Sequence, residues 1–290
     1  MSQRIFAGML VNEALAVAVK ILRDAGVPDA ARDARRLMAF ALKVPNDRIT
    51  LLAHEPVTGE AVGLFDAAIS LRRRRVPVSH ITGTREFYGR NFSVSRSALD
   101  PRPDTESLIE IALKSPYKRV LDLGTGTGCI LITLLCERPD ATGVGTDISS
   151  MARFRAEINA EDLGVADRAE VLISNWFAPV NGQGGVTGKF DLIVANPPYI
   201  ALAEMDGLEP ELAREPRIAL TDQGDGLGAY RAIAVGVTDF LVPGGRVLLE
   251  IGPTQAQAVS QMLTEAGFAG VQTLRDLDGR DRVIQARWPG

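Results

Sequence analysis

The tetrapeptide Asn196-Pro197-Pro198-Tyr199 closes an apolar run, Asp191-Leu192-Ile193-Val194-Ala195, and its residue types suit one kind of chemistry. A planar amide or aromatic amine is a poor nucleophile because its nitrogen lone pair is delocalised. Two acceptors aimed at its N–H groups hold such a nitrogen in line with an electrophilic carbon and favour the positive charge that develops on it. The Asn196 side-chain oxygen and the Pro197 backbone carbonyl can supply them. The prolines stiffen the loop, and the Tyr199 ring offers a flat surface for a flat group. A Pro-Pro turn after a buried strand is common, so the tetrapeptide alone says only that a planar nitrogen can be held here. No strong general base stands beside it.

Two upstream features say what could lie opposite. The run Val120-Leu121-Asp122-Leu123 leads into Gly124-Thr125-Gly126-Thr127-Gly128 and then a helix. Glycines let the backbone pass close to a ligand, and a helix N-terminus offers free N–H groups. The dinucleotide fingerprint G-x-G-x-x-G needs glycine at 129, where Cys129 stands, so the spacing suits a nucleoside whose attached chain is not a pyrophosphate. Asp147 ends the next strand, where a carboxylate can accept hydrogen bonds from both ribose hydroxyls; taken alone it could equally cap the helix that follows. After the third strand, Ser174-Asn175-Trp176-Phe177 places an aromatic where it can stack on a purine and a polar neighbour where it can read the ring edge. Trp176 is the candidate for that stacking, and Phe177 reads as a core aromatic.

These loops need strands and helices to bring them to one crevice. From Lys118 onward, short apolar runs alternate with helical stretches: strands at 120–123, 142–147, 169–173, 190–195 and 246–251, helices at 129–137 and 151–163. Such βαβ alternation predicts an α/β fold with a mostly parallel sheet, whose ligands sit outside the C-terminal strand ends. Runs at 271–274 and 282–287 predict a final antiparallel pair, and 182–188 a glycine-rich surface loop. The first 75 residues read as three helices, with Val11, Leu15, Val19 and Leu22 on one face of the first and Val62, Phe65 and Ile69 on one face of the third. Between the two parts, residues 81–88 and 91–95 read as two strands around a tight turn at Gly89. Pro101 and Pro103 then exclude regular structure, and Asp104 or Thr105 is expected to cap a helix running through Leu113.

The 290 residues have an ordinary globular composition, with 46% hydrophobic and 23% charged residues and a net charge of −4. Residues 1–75 carry 12 Lys+Arg against 8 Asp+Glu, so the front segment is the better candidate for meeting an acidic partner. The plainer reading is that Arg72 to Arg75 end a helix, where cations suit the dipole. Cys129 and Cys136 lie seven apart on one predicted helix, a rise of about 10 Å, too far for a disulfide. Two histidines leave little from which to build a zinc site. No signal pattern and no membrane-length apolar run is visible, so a cytoplasmic protein is expected.

In this order, the glycine loop, the strand-end aspartate and Asn196-Pro197-Pro198-Tyr199 resemble class I S-adenosylmethionine-dependent methyltransferases with an (N/D)PP(Y/F/W) signature. The stretches Ile81-Thr82-Gly83, Glu86-Phe87-Tyr88-Gly89, Pro101-Arg102-Pro103-Asp104-Thr105-Glu106, Glu215-Pro216, Asp225-Gly226-Leu227 and Glu250-Ile251-Gly252 with Gln255 resemble the HemK/PrmC family more narrowly. Asp100 departs from that family's usual apolar residue before Pro101. The resemblance implies a class I (Rossmann-like) methyltransferase domain over 101–290. A helical substrate-recognition domain over 1–76 and a β-hairpin linker over 77–100 would precede it. It implies transfer of a methyl group from S-adenosyl-L-methionine, giving S-adenosyl-L-homocysteine, to the side-chain N5 of the Gly-Gly-Gln glutamine of class I peptide chain release factors. The cofactor would meet Gly124, Thr125, Gly126, Thr127, Gly128, Asp147, Trp176 and Asn196. The glutamine would meet Asn196, Pro197, Pro198 and Tyr199, with Asn196, Pro197 and Tyr199 carrying the chemistry and no metal taking part. A monomer with no stable nucleic-acid or membrane partner is expected.

The alternative substrate class is an adenine or guanine amino group in nucleic acid. The net −8 of residues 76–290 and the lack of a basic groove argue against it. A cofactor-binding scaffold without activity is opposed by the intact tetrapeptide. A nicotinamide dehydrogenase is opposed by Cys129 and by the absence of an acid/base pair for hydride transfer.

Overall fold

The computed structural model describes residues 4–182 and 184–290, so Gln183 in the expected glycine-rich loop lies outside the described residues. The chain divides into two compact units. One comprises the N-terminal residues through Gly83 together with Pro210–Arg214, the other Thr84–Glu209 and Glu215–Gly290.

In the first unit, helices α1 (Val11–Asp24), α2 (Ala30–Leu42), α3 (Gly59–Arg73) and the single turn α4 (Val78–Thr82) enclose one apolar cluster. The face that α1 buries differs from the predicted one. Val11, Ala14, Val17, Ala18 and Leu22 are buried, while Leu15 and Val19 are only half-buried, because small alanines let neighbouring helices approach closely. Likewise Phe65 and Ile69 of α3 are buried and Val62 lies at the margin. The Arg72 to Arg75 run is not a uniform basic surface. Arg72 is buried and donates to Asp33 at 2.7 Å and to Glu211 at 2.7 Å; Arg75 binds both Glu211 oxygens at 2.7 and 2.6 Å. Although burial pushes the Glu211 carboxyl up, the hydrogen bonds from Arg75 and Arg72 outweigh it and hold the group below its usual range.

Ile81 and Thr82, expected in a strand, are helical: Pro77 sets the N-cap of α4 and Gly83 closes it. The hairpin proper is β1 (Thr84–Phe87) and β2 (Arg90–Ser93), paired Phe87 to Arg90 around Tyr88-Gly89. Both turn residues have positive φ (49° and 71°), the two-residue turn whose twist matches that of the strands. Helix α5 (Glu106–Leu113) follows, with Thr105 at its N-cap position but making no capping hydrogen bond.

The remaining elements are β3 (Arg119–Leu123), α6 (Cys129–Glu137), β4 (Thr142–Asp147), α7 (Ser150–Asp162), β5 (Ala169–Asn175), β6 (Ala178–Pro179), β7 (Phe190–Ala195), α8 (Gly228–Gly236), β8 (Leu241–Glu250), α9 (Ala256–Glu265), β9 (Ala269–Arg275) and β10 (Asp281–Arg287). The sheet order is β6-β5-β4-β3-β7-β8-β10-β9. Strands β5, β4, β3, β7 and β8 are parallel, and β10 runs antiparallel to both β8 and β9. Val120, Leu192, Val194, Leu248 and Val283 pack in one cluster with α5 and α6; Leu121, Leu123, Ile193, Val247, Leu249 and Ile284 pack in another with α8 and α9. Burial on both faces explains why the strands read as unbroken apolar runs. From β3 the chain steps outward to β4 and β5, then returns to the other side of β3 as β7. That reversal opens a crevice at the C-terminal strand ends.

Candidate active site

Four strand ends converge on one cavity of about 500 Å³. After β3, Gly124 to Thr127 line it; Asp147 closes β4, Asn175 closes β5 with Trp176 following, and Asn196 and Pro198 follow β7. Gly128, Pro197 and Tyr199 are not among the lining residues. Gly128 has a packing task instead: a Cβ there would lie 2.7 Å from the Ile132 side chain and 3.1 Å from that of Ala156, so glycine lets α6 start against α7.

Asp147 ties the glycine loop to its strand. Its carboxylate accepts the Gly126 N–H at 2.9 Å and the Ser149 N–H at 2.8 Å. Burial raises its pKa, and N–H groups of Ser149, Gly126 and Ile148 oppose the rise. The capping of α7 falls to Ser149, whose hydroxyl accepts the Ala152 N–H. The Asp147 carboxylate thus faces the cavity with lone pairs left for further donors. Ser174 donates to the Trp176 and Ala178 carbonyls and shapes the turn in which Trp176 takes φ 56°. Phe177 stacks on Phe240 with ring centroids 4.8 Å apart, a core contact as its type suggested.

At Asn196 the amide is split in its duties. Its Nδ2 donates to the Thr105 hydroxyl at 3.1 Å, while its Oδ1, buried, accepts no hydrogen bond among the described residues. The following loop is braced from a distance. Gln255 donates to the Tyr199 carbonyl at 2.9 Å and to the Gly226 carbonyl at 3.0 Å, and accepts the Gly252 N–H at 3.0 Å and the Tyr230 hydroxyl at 3.3 Å. Gly226 passes so close that a Cβ would lie 2.3 Å from the Tyr199 carbonyl oxygen. Asp222 holds this second loop through the N–H groups of Gly224, Gly226 and Gly228.

Further contributors come from outside the four strand-end loops. Arg102 is the one Lys or Arg in the cavity lining among the described residues and pairs with Glu215, which also accepts the Asp100 N–H at 3.2 Å. Asp100 therefore takes a buried place beside the cavity. Burial raises the Glu215 carboxyl, with Arg102 lowering it and Asp100 raising it. Asn159 on α7 binds the Ser93 N–H and carbonyl and the Thr127 carbonyl, fixing hairpin, helix and glycine loop together. Its signal in the sequence is one asparagine on the alanine face of Ala152, Ala156 and Ala160. Asp122, fully buried, accepts from the Thr125 hydroxyl at 2.7 Å and the Leu131 N–H at 3.3 Å; burial pushes its pKa up to about 7 against these two bonds.

The family model of the PrmC N-terminal domain matches residues 13–83, and that of the methyltransferase small domain matches residues 93–226. A release factor glutamine methyltransferase of Cereibacter sphaeroides is 52% identical over 97% of this chain and 99% of its own. The chain belongs to the release factor glutamine methyltransferase family. Another member, from Rhodospirillum rubrum, is 41% identical over 92% of this chain and 81% of its own. A methyltransferase structure from Pyrococcus furiosus, 17% identical, superposes with a TM-score of 0.52 over 70% of this chain and 91% of its own, and so shares the fold. The fold is that of class I methyltransferases, and the resemblance noted for the sequence motifs is to this same family. Among the described residues, no helix is long and apolar enough to cross a membrane.

Proposed function

We propose that this chain methylates the side-chain N5 of the Gly-Gly-Gln glutamine of class I release factors, with S-adenosyl-L-methionine as donor. The observation that carries the reading is Asn196. Its Nδ2 is committed to Thr105 and its buried Oδ1 is left to accept, beside a cavity rimmed by the glycine loop and Asp147. The names carried by the close relatives support the same substrate.

The cavity fits the cofactor's chemistry. Asp100, Asp147 and Asp222 against Arg102 make its lining acidic, which suits a sulfonium cation, and Ile130, Ile148 and Ala152 give it apolar wall. Gly124 to Gly128 would carry the nucleoside, Asp147 would accept from the ribose hydroxyls and Trp176 would face the adenine. Arg102 is the cation available to the methionyl carboxylate. When bound, S-adenosyl-L-methionine supplies a methyl carbon activated by its positive sulfur. The protein's part is to place the acceptor nitrogen. Asn196 Oδ1 and the Pro197 carbonyl would accept the two amide N–H groups, and Pro198 and Tyr199 would flank the flat amide. In this reading residues 1–76 recognise the release factor, 77–100 link, and 101–290 catalyse; the protein acts as a cytoplasmic monomer. Incubation with labelled cofactor and either release factor or nucleic acid tests it: label in nucleic acid alone would refute it.

A further inference from the structure

A glycine loop can approach a nucleoside closely, but the same backbone freedom lets it leave the binding conformation. Gly126 and Gly128 both have positive φ (57° and 79°), and the peptide between Thr127 and Gly128 is one rigid plane that turns as a unit. Its two ends are held separately. The Gly128 N–H donates to the Thr125 carbonyl at 2.8 Å, within the loop. The Thr127 carbonyl is held from outside, by the Asn159 Nδ2 on α7 at 2.8 Å. The same Nδ2 donates to the Ser93 carbonyl at 3.0 Å, and the Asn159 Oδ1 accepts the Ser93 N–H at 2.8 Å. Both amide protons are thus in use, and at 1% exposure water cannot stand in for them. Ser93 ends β2, and an anchor serves only if it is itself fixed. The Tyr88 N–H at the hairpin turn donates to Glu106 at 2.9 Å and its hydroxyl to Glu110 at 2.6 Å, while Phe87 and Phe92 are buried. Arg155, one turn before Asn159, donates to the Ser93 hydroxyl at 2.8 Å. Beyond the hairpin, Ser97, Ala98 and Leu99 line the cavity.

We propose that Asn159 is a positioning residue that makes the β1–β2 hairpin part of the cofactor site. The proposal rests on the reading of Gly124 to Gly128 as the loop that carries the nucleoside. The hairpin is then more than a linker: it is the fixed reference to which the Thr127 carbonyl is tied before the cofactor arrives. Without the Asn159 amide, the buried carbonyl is left without its donor, and the peptide between Thr127 and Gly128 turns to find another. The cofactor then binds only the fraction of molecules whose loop is in the binding conformation, and its apparent affinity falls by that fraction. The chemical step stays as it was once the cofactor is bound, because the Asn159 side chain bonds Ser93 and Thr127 and not the tetrapeptide.

The test is calorimetric titration with S-adenosyl-L-homocysteine well below the melting temperature, beside single-turnover methylation at saturating cofactor and amide hydrogen exchange. Asn159→Asp keeps the acceptor for the Ser93 N–H but sets lone pairs against the two carbonyls. Affinity should fall about 10- to 100-fold, the scale of one buried carbonyl left without its donor. The single-turnover rate should stay within about twofold of wild type. Amides of residues 124–128 and of β2 should exchange faster, and those of β7 should not change. Arg155→Met loosens Ser93 more gently and should weaken binding by about 2- to 5-fold, the scale of one hydrogen bond. Unchanged affinity in Asn159→Asp, or in Arg155→Met where Asn159→Asp does not fold, would overturn the proposal, as would a loss confined to the rate. A wild-type protein that binds no S-adenosyl-L-homocysteine would overturn the underlying reading instead, so the two failures are distinct.

Discussion

Gln255 lines no part of the cavity, yet its amide joins the Tyr199 carbonyl, the Gly226 carbonyl and the Gly252 N–H at 2.9 to 3.0 Å. Gln255→Leu keeps much of the volume and removes all three bonds. The Tyr230 hydroxyl loses least, since it still donates to the Glu250 carbonyl at 2.8 Å. At about 1 kcal/mol net per lost bond, destabilisation should be about 3 kcal/mol. For a unit of this size that is a fall in Tm of roughly 6 to 12 °C. The activity should fall further than the stability explains, because Tyr199 and Asn196 share one short loop. A shift of about 1 Å at the acceptor costs on the order of 10²-fold in rate. Measured well below the melting temperature, kcat should drop about 10- to 100-fold while cofactor affinity stays within about twofold. The assays are thermal melting, calorimetry with cofactor and single-turnover methylation. A kcat unchanged beside the lowered Tm would show that the tie is merely structural, and equal losses of kcat and cofactor affinity would show that the loop does not act separately from the cofactor pocket.

Further expectations concern other parts of the molecule. Arg72→Met leaves Asp33 buried without its partner and should destabilise the helical unit by about 3 to 5 kcal/mol, read by urea denaturation; Asp33→Leu with Arg72→Met should recover most of that, and no recovery would contradict the pairing account. Asp147→Ala should weaken cofactor binding on the order of 10²-fold by calorimetry, since a charged acceptor for two hydroxyls is lost; unchanged affinity would remove Asp147 from the site. Asp122 keeps its proton in the folded state up to about pH 7, whereas the unfolded chain releases it near the ordinary carboxyl value of 3.8. The folded state therefore binds more protons between these values, and stability falls as pH rises through that window, by about 1.4 kcal/mol per pH unit. Glu250 contributes with the same sign, so Asp122→Asn should reduce the slope of stability against pH, not abolish it. An unaltered slope would mean that Asp122 is ionised throughout.

The sheet was legible in the sequence because its strands are buried on both faces and so announce themselves as short apolar runs between helices. Helix α6 and strands β4 and β7 fall where the sequence pattern places them. Ile81 and Thr82 misled, since β-branched residues before a glycine read as a strand, while Pro77 starts a helical turn five residues wide. Thr105 misled in a different way. Its local signal is that of a helix cap, but its hydroxyl serves Asn196, 91 residues away. The candidate ligand residues stand out because each follows a strand end. The groups that hold them, Gln255, Asn159 and Arg102, act through contacts that no spacing rule encodes.

Transfer of a methyl group to one glutamine nitrogen is tested most directly by mass spectrometry of the Gly-Gly-Gln peptide. Purified release factor, incubated with this protein and S-adenosyl-L-methionine, should gain the mass of one methylene on that glutamine, and release factor from cells lacking the protein should be lighter by the same amount. An unmodified Gly-Gly-Gln peptide with the methyl group recovered elsewhere would contradict the account.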